Sequence, residues 1–355
     1  MAKPLEGKRI LITGGTGSLG KVLTRRILGG EMGRPAKVII FSRDEAKQHF
    51  MRIEYQQRVA ATDEIIYRNS QQLLEFWIGD VRELDSVASA LRESDVVFSA
   101  AAMKQVPTCE YFPYEAVRTN IEGPENIVRA IQKHDLRIET VVGISTDKAC
   151  KPVNTMGMTK AIQERIFIQG NMRCPKTRFV CVRYGNVLAS RGSVIPLFHE
   201  QIRHGGPVTI TTPEMTRFLL SLDEAVDMVF AALDTALRGE TYVPRAPSAK
   251  IVDVATALID GRPIKQVVTG IRPGEKIHEI MVSEEEIHRT VERGEWYVML
   301  PMLPELRGDA VGSGCLSKEY SSMDGVLSLA ETAELLKRSK LMVEDLTAFE
   351  GEMLR

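Results

Sequence analysis

The sequence has no excess of charge of either sign and no long apolar run. Its 355 residues include 46 Lys and Arg against 47 Asp and Glu, a formal net charge of -1. A protein that holds nucleic acid by bulk positive charge needs a basic surplus, so this class is excluded. No apolar run approaches the roughly 20 residues that cross a bilayer. The N-terminal MAKPLEGKRILITGG lacks a signal-peptide hydrophobic region. We therefore expect no contact with a membrane and, from the charge balance, no nucleic-acid partner.

Cysteine is scarce and unpatterned. The chain has 5 cysteines, with no CxxC pair and no spacing typical of metal ligands. Their odd number and scatter fit free thiols in a reducing cytoplasm, where we expect the protein. Five of the 6 histidines have no partner at metal-ligand spacing, and the other, His278, follows an arginine motif. The sequence therefore predicts no metal site.

The first half of the chain alternates short apolar runs with longer amphipathic stretches. The runs predict strands at Arg9–Thr13, Val38–Phe41, Leu74–Ile78, Val96–Ser99, Thr140–Ser145 and Phe179–Tyr184, the last ending the main sheet. The stretches predict helices at Ser18–Leu28, Arg43–Val59, Tyr114–Lys133 and Met158–Gln169. Alternation of this kind predicts an α/β fold of the Rossmann type, a doubly wound parallel sheet with helices on both faces.

The second half is less regular and predicts a smaller C-terminal lobe. Its short strands are expected at Val208–Ile210 and Thr241–Val243, and its helices at Val194–His204, Leu222–Leu237 and Ile251–Leu258. We expect three parts: residues 1–185 as the sheet domain, 186–305 as the smaller lobe with some of the chain crossing back, and 306–355 as an extension. A last helix is predicted at about Thr332–Leu346.

Glycines recur every third residue directly after the first strand. Gly14, Gly17 and Gly20 alternate with Thr16, Ser18 and Leu19, and the first predicted helix begins at Ser18. Glycine allows positive φ and close approach of the backbone to a ligand. A helix N-terminus then offers free N–H groups and a positive dipole end to a pyrophosphate. The strand–turn–helix context favours a dinucleotide site over a purely structural turn.

The ends of the next strands complete this predicted cofactor site. Ser42 and Arg43 stand where NAD-specific sites usually have an acidic residue, with Lys47 one turn later. A guanidinium suits a phosphate dianion, so we favour NADP over NAD, although Asp44 could still contact the ribose. Asp80 and the Val81 backbone are expected at the adenine. Small residues follow the fourth strand and would let the cofactor lie against the chain: Ala100, Ala101 and Ala102.

The next motif resembles the extended short-chain dehydrogenase/reductases. Their signature is a Ser or Thr followed by Tyr-x-x-x-Lys, whose Tyr and Lys share one helix face. Here Ser145-Thr146-Asp147-Lys148 ends a strand, and Lys160 matches the lysine that binds the nicotinamide ribose. Met156 stands in place of the tyrosine, and a thioether cannot transfer a proton. This exchange leaves two alternatives, a catalytically silent NADP-binding sensor or an enzyme with another proton-transfer group.

The Thr-Asp-Lys triplet favours the enzyme, because it resembles nucleotide-sugar 4,6-dehydratases of the UDP-N-acetylglucosamine branch. Some members of that branch carry the same Tyr-to-Met exchange. The resemblance extends from Gly14 to about Pro301 and includes five further segments in order: Ala102–Pro107, Arg183–Val187, Ser190–Pro196, Met215–Phe218 and Arg272–Lys276. The family implies synthesis of surface polysaccharide or glycoprotein sugars and a homo-oligomer, either a dimer or a hexamer.

The resemblance implies a three-step reaction with a tightly bound, recycled NADP. Carbon 4 is oxidised, water is eliminated across carbons 5 and 6, and the hydride returns to carbon 6. Lys148 is expected as the base at carbon 5 and Asp147 as the acid at the leaving hydroxyl. Because Met156 cannot transfer a proton, Asp147 is also the candidate base at the carbon 4 hydroxyl, directly or through water. Thr146 would form a hydrogen bond with that hydroxyl. A lysine with an ordinary pKa near ~10.4 would need burial or a nearby cation to act as a base.

The smaller lobe is expected to bind the substrate. Its arginines would contact the diphosphate, Asn186 a diphosphate or sugar oxygen, and Glu275 the uridine ribose. The full set of expected substrate-binding residues is Lys104, Asn186, Arg191, Val194, Arg217, Arg272 and Glu275. The segments after Tyr184 favour members that invert carbon 5. The alternatives left open are a nucleotide-sugar 4-epimerase or simple oxidoreductase, which needs the tyrosine but not the Asp-Lys pair, and the silent sensor.

Overall fold

A nine-stranded sheet forms the centre of the molecule. The computed structural model describes residues 3–57, 73–188, 193–307 and 314–348. The strand order in the sheet is β14-β15-β10-β6-β5-β4-β1-β2-β3. These strands are β1 (Arg9–Thr13), β2 (Lys37–Ser42), β3 (Leu74–Ile78), β4 (Val96–Ser99), β5 (Thr140–Thr146), β6 (Arg178–Tyr184), β10 (Thr241–Pro244), β14 (Thr290–Arg293) and β15 (Trp296–Met299). Strands β1 to β6 and β10 run parallel, which confirms the predicted fold class.

The parallel strands are nearly continuous apolar runs in the sequence because both faces of the sheet are packed against apolar side chains. Successive side chains of a strand point to opposite faces. Ile10 and Ile12 of β1 belong to one buried cluster, whereas Leu11 belongs to the other. A sheet covered on both faces needs apolar residues at every position, as in parallel sheets generally. The carboxyl ends of these strands meet at one edge, where the predicted site residues follow.

Helices cover the sheet. Those of the first half are α1 (Ser18–Leu28), α2 (Glu45–Gln57), α3 (Leu84–Arg92), α4 (Val106–Tyr111), α5 (Pro113–Val117), α6 (Gly123–His134) and α7 (Thr155–Arg173). The predicted α1 is confirmed to the residue, while α3 was not expected. The single helix expected at Tyr114–Lys133 is wrong. A π-helical turn, Arg118–Glu122, separates α5 from α6, and Pro113 and Pro124 stand in the first turns of these two helices, where their missing N–H is tolerated.

The main sheet does not end at β6, contrary to the sequence prediction. Strand β10 was expected in the smaller lobe, but it pairs in parallel with β6 through Thr241 and Tyr242. The hairpin of β14 and β15 then adds antiparallel strands beyond it. Helix α9 (Leu222–Thr235) also packs on the main sheet, in the same buried cluster as Leu23 and Ile27 of α1.

The smaller lobe has a core of its own, built from small sheets and helices. The strands outside the main sheet are β7 (Asn186–Val187), β8 (Val208–Ile210), β9 (Thr216–Leu220), β11 (Ser248–Lys250), β12 (Gln266–Val268), β13 (Ile280–Val282) and β16 (Tyr320–Ser321). The remaining helices are α8 (Val194–Arg203), α10 (Ile251–Ile259), α11 (Glu284–Ile287), α12 (Pro304–Arg307) and α13 (Leu329–Arg338). Within the described ranges, no helix is long and apolar enough to span a membrane.

The last helix differs from its prediction. Instead of one helix at Thr332–Leu346, α13 ends at Arg338 and a 3-10 helix follows at Val343–Ala348. Lys340 between them has a positive φ of 54°, which breaks the helical path. Leu335 and Leu336 of α13 pack into the core of the smaller lobe. The extension is therefore joined to that lobe by apolar contacts.

Candidate active site

The turn after β1 brings the backbone close to the loop after β4. Gly14 has a φ of 67°, and a Cβ there would lie 2.8 Å from the Cα of Ala101. Gly20 packs equally closely on Gly15, with a hypothetical Cβ 2.5 Å from the Gly15 Cα. Gly17 is the residue before α1, and its helix start leaves N–H groups of the first turn unpaired within the helix. The turn thus has the close packing and the free N–H groups that a phosphate site requires.

The loop after β4 is fixed to this turn by Thr13. The Thr13 Oγ1 accepts hydrogen bonds of 3.2 Å from the backbone N–H groups of both Ala100 and Ala101. Ala102 follows as an exposed residue. The three alanines therefore lie beside the glycine turn, as the sequence analysis expected, and leave room at this edge of the sheet.

The residues expected at the ribose and adenine also gather at this edge. The hydroxyls of Thr16 and Ser42 lie 3.3 Å apart. Arg43 is 56% exposed, and its Nη1 lies 3.8 Å from the Asp80 carboxylate. Burial alone would raise the pKa of the Asp80 carboxyl, but its bonds with Arg82 and the charge of Arg43 lower it.

Two other expected cofactor residues have protein partners. The Lys47 ammonium of α2 lies 2.6 Å from the carboxylate of Asp44, the residue just before that helix. The Val81 side chain is buried, and its backbone oxygen accepts a 3.0 Å hydrogen bond from Asn126. Arg43 is therefore the more exposed of the two cations at the end of β2, with the longer contact to a carboxylate, 3.8 Å to Asp80 against 2.6 Å for Lys47 and Asp44.

The Asp-Lys pair lies in a 3-10 turn directly after β5. The turn spans Asp147–Ala149, and the Thr146 hydroxyl donates a 2.9 Å hydrogen bond to Asp147 Oδ1. The Lys148 Nζ lies 3.0 Å from the same oxygen and 3.1 Å from Glu279 Oε1. It also donates a 3.2 Å hydrogen bond to Asn186 Oδ1. Three side chains from three parts of the chain thus meet around the Lys148 ammonium.

Burial and charge shift the proton affinities of this cluster. Burial raises the pKa of the Asp147 carboxyl, and Lys148 offsets only part of that rise. Burial opposes the charge on Lys148, but Asp147 and Glu279 more than compensate and raise the pKa of its ammonium. A base at carbon 5 was expected to be a lysine with a lowered pKa, whereas the pKa of Lys148 is raised. The reason is the second carboxylate, Glu279.

The N-terminus of α7 packs directly against this turn. The Asn154 side chain caps the helix by accepting a 2.8 Å hydrogen bond from the Gly157 N–H, and it donates to the Gly274 oxygen at 2.7 Å. A Cβ on Gly157 would lie only 2.2 Å from the Lys148 carbonyl oxygen. Met156 is buried in a small apolar cluster with Cys109 and Ala116. Its thioether therefore fills space at the position of the tyrosine.

Lys160 lies one helical turn further along α7 and is buried. Its ammonium donates to the Ile144 carbonyl oxygen of β5 and to Gln163 Oε1. Burial lowers the pKa of Lys160 to about 8. To contact a nicotinamide ribose as expected, the Lys160 ammonium would have to share or give up its hydrogen bond to the Ile144 carbonyl oxygen.

A cavity of about 800 Å³ opens next to Asn186, the hydrogen-bond partner of Lys148. It brings together five of the seven residues expected at the substrate: Asn186, Val194, Arg217, Arg272 and Glu275. Asn186 connects the cavity to the turn through its bond with Lys148. Arg191 lies outside the described residues, and Lys104 is exposed on the loop after β4.

Arg217 does not offer its guanidinium for the expected bidentate contact with a diphosphate. Its Nη1 donates to the carbonyl oxygens of Thr216 and Ile277, and its Nη2 donates to that of Lys276. The Nε lies 3.9 Å from Glu279 Oε1. A bidentate phosphate contact would require these backbone bonds to break. Arg272, in contrast, is exposed at the cavity, and Glu275 accepts weakly from its backbone at 3.4 Å.

Two residues of the site were missed from the sequence. Glu279 follows the Arg272–Lys276 segment, but nothing in the pattern relates it to Lys148. Asn120 lies in the π-helical turn and donates 3.0 Å bonds to Met103 O and to the hydroxyl of Thr159 in α7. In the described part of the chain, no group of three His, Cys, Asp or Glu side chains could hold a metal ion.

Comparison with known proteins identifies relatives over most of the chain. Residues 10–301 match the model of the polysaccharide biosynthesis protein family. A protein of Campylobacter jejuni named UDP-N-acetylglucosamine 4,6-dehydratase (inverting) is 40% identical over 301 residues, which cover 84% of each chain. A protein of Rickettsia canadensis named UDP-glucose 4-epimerase is 44% identical over 300 residues, which cover 83% of each chain.

Solved structures share the fold. The structure of Pen from Bacillus thuringiensis is 31% identical, has a TM-score of 0.84, and covers 95% of this chain and 99% of its own. The dTDP-glucose 4,6-dehydratase DesIV from Streptomyces venezuelae, solved with NAD and TYD bound, has a TM-score of 0.63 at 19% identity, covering 94% and 98% of the two chains. At that identity the likeness concerns the fold alone.

Proposed function

Since this chain belongs to the polysaccharide biosynthesis protein family, within the extended short-chain dehydrogenase/reductases, we propose that it is an NADP-dependent nucleotide-sugar 4,6-dehydratase. The proposed substrate is UDP-N-acetylglucosamine, with inversion at carbon 5. The observation that carries the proposal is the Asp147–Lys148 pair at the end of β5. It lies beside the cavity through Asn186, while the tyrosine position is filled by a buried methionine.

The glycine turn and the end of β2 fit a dinucleotide. Backbone as close as that of Gly14 to Ala101 leaves no room for a side chain, and the start of α1 offers N–H groups for a pyrophosphate. The exposed Arg43 guanidinium is suited to a 2′-phosphate, which favours NADP over NAD. The cofactor supplies hydride acceptance from carbon 4 and return to carbon 6. It is unchanged over one turnover, so no external oxidant is needed.

Asp147 is proposed to carry the proton that crosses from carbon 4 to carbon 6. Oxidation at carbon 4 releases a hydride and the hydroxyl proton, and Asp147 takes the proton. It then gives that proton to the carbon 6 hydroxyl, which leaves as water. A carboxyl whose pKa is raised by burial suits a group that must both accept and donate. Thr146, which donates to Asp147, orients this carboxyl.

Lys148 is proposed to take the proton from carbon 5 and to return one after the hydride reaches carbon 6. An ammonium cannot accept a proton, so the group must first be neutral. The carboxylates of Asp147 and Glu279 oppose this by raising its pKa. The proposed role therefore makes exchange at carbon 5 faster at higher pH.

The cavity is proposed to hold the nucleotide diphosphate. Ser193 and Val194 line it at the start of α8, whose N-terminus is the positive end of the helix dipole. The exposed Arg272 can add a bidentate contact with the diphosphate. Asn186, bonded to Lys148, would place the sugar next to the catalytic turn.

A 4-epimerase is the second candidate, favoured by the printed name of the Rickettsia relative. Epimerisation returns the hydride to carbon 4 and removes no water, so it has no use for an acid and base at carbons 5 and 6. It needs a proton acceptor at carbon 4, the role of the tyrosine that Met156 replaces. The site thus favours dehydration.

Product mass separates these reactions. We expect purified protein with UDP-N-acetylglucosamine to form a product lighter by one water, without consumption of added cofactor. Asp147→Asn should abolish its formation. A product of unchanged mass but altered sugar configuration would establish the epimerase instead. Unchanged substrate, with other nucleotide sugars tested as well, would favour the silent NADP-binding protein.

A further inference from the structure

Two buried carboxylates share the single ammonium of Lys148. Its Nζ lies 3.0 Å from Asp147 Oδ1 and 3.1 Å from Glu279 Oε1. The Asp147 side chain is 0% exposed and that of Glu279 2%. Each has a second oxygen, Asp147 Oδ2 and Glu279 Oε2, that is buried without a hydrogen-bond partner among the described residues. One ammonium balances one carboxylate, and two like charges this close cannot both remain ionised without cost.

The surroundings of the two carboxylates differ. Glu279 Oε1 also lies 3.9 Å from the Arg217 Nε, a second cation. The second oxygen of Asp147, Oδ2, lies instead near Gly185, against which Met281 and Phe218 also pack. A Cβ built on Gly185 would lie 3.1 Å from Asp147 Oδ2 and equally near the Met281 methyl, with Phe218 at 2.8 Å. The ionised form is therefore favoured at Glu279 and disfavoured at Asp147.

The position of Glu279 is fixed by the C-terminal extension. Its backbone N–H donates a 2.9 Å hydrogen bond to the Ser322 hydroxyl, and the Ser322 N–H donates a 2.8 Å hydrogen bond to the Glu279 backbone carbonyl oxygen. Ser322 also contacts the Thr216 hydroxyl at 2.6 Å, next to Arg217. Hence the C-terminal extension fixes the backbone of Glu279 beside the Asp147–Ala149 turn.

We propose that Glu279 is a positioning residue that serves as the counter-ion of Lys148, leaving Asp147 free to take up and give back a proton. The second half of this statement rests on the proposed dehydratase function, whereas the first half concerns the resting protein. The pKa directions agree: burial raises the pKa of Asp147, whereas Lys148 and Arg217 lower that of Glu279 against its own burial.

The charged groups around Lys148 and Glu279 come from three segments. Asp147 lies on its own turn, Glu279 and Lys276 on the segment before β13, and Arg217 on β9. Asn186 of β7 is its neutral hydrogen-bond acceptor. His278 is bonded to Thr216, and burial lowers the pKa of its imidazole. Among these groups, Glu279 provides the second negative charge.

Infrared spectroscopy of the purified, full-length protein tests the assignment without any substrate. The carbonyl stretch of a protonated carboxyl is followed from acid to alkaline pH, with carbon-13 aspartate to separate Asp from Glu. We expect an aspartate band that Asp147→Asn removes and whose titration midpoint lies above that of an ordinary aspartate. Glu279→Gln should lower that midpoint by about one to three units, since it removes a like charge.

Two controls sharpen the test. Glu279→Asp keeps the negative charge and should leave the midpoint near that of the parent. Glu292→Gln removes an exposed carboxylate paired with Arg245 at 2.6 Å and should change nothing. A band that belongs to Glu279 and survives Asp147→Asn overturns the proposal, as does a midpoint that Glu279→Gln leaves unmoved. If Glu279→Gln does not fold, the Asp147→Asn result decides by itself. Because no turnover is measured, failure of the proposed reaction would leave this result intact.

Discussion

Replacement of Gly157 by alanine tests how closely α7 is packed on the catalytic turn. The new Cβ would lie 2.2 Å from the Lys148 carbonyl oxygen. The helix or the turn must therefore move by about 0.8 Å or more before even a 3.0 Å contact is reached. Helix propensity alone would make alanine more stable by up to about 1 kcal/mol. A contact with backbone atoms cannot be relieved by a side-chain rotation, so we expect a net destabilisation of about 1–3 kcal/mol.

The displacement should also reduce turnover, because it moves the Asp147–Lys148 turn itself. A shift of this size corresponds to a loss of about ten- to a hundredfold in kcat. Urea unfolding and product formation measure the two effects. Gly170→Ala in the same helix is the matched control, since its Cβ would meet only side-chain atoms of Val128 and Phe179, at 3.2 and 3.4 Å. Parent-like stability and turnover in Gly157→Ala would refute the close packing described here.

The remaining predictions concern the cofactor and the proton transfers. Arg43→Ala should weaken NADP binding by about tenfold or more and NAD binding far less, because only NADP carries a 2′-phosphate; equal losses in calorimetric titrations would contradict this. Lys148→Ala should stop incorporation of solvent deuterium at carbon 5 while cofactor binding persists, and continued incorporation would exclude Lys148 as the base. In the parent, this incorporation should accelerate as pH rises, since the raised pKa of Lys148 leaves little neutral amine near neutrality. A rate that falls over the same range would contradict that role.

Local patterns predicted the first strand, the glycine turn and the first helix. The strand–glycine–helix unit from Arg9 to Leu28 is dictated by short-range constraints, namely apolar spacing, positive φ at Gly14 and the helix start after Gly17. The same holds for the turn after β5, where Thr146 and Asp147 are neighbours in sequence. The gathering of Asn186, Arg217 and Arg272 in one cavity was also anticipated, through a resemblance between separate segments and not through spacing.

Features that depend on distant parts of the chain could not be predicted. Strand β10 joins the main sheet because β6 still offers a free edge, which no local pattern shows. The orientation of Arg217 follows from backbone carbonyls of residues 276 and 277 that lie nearby only in the fold. The raised pKa of Lys148 depends on Glu279, which Ser322 of the extension holds in place. Each of these differences from the sequence prediction depends on a tertiary contact.

The most direct test of the central claim is identification of the product by NMR in deuterated water. The protein is incubated with UDP-N-acetylglucosamine and its own bound cofactor, and the sugar is followed in place. We predict a 4-keto-6-deoxy sugar that carries one solvent deuterium at carbon 5, in the inverted configuration. A sugar that keeps its carbon 6 hydroxyl and its carbon 5 proton would contradict the account.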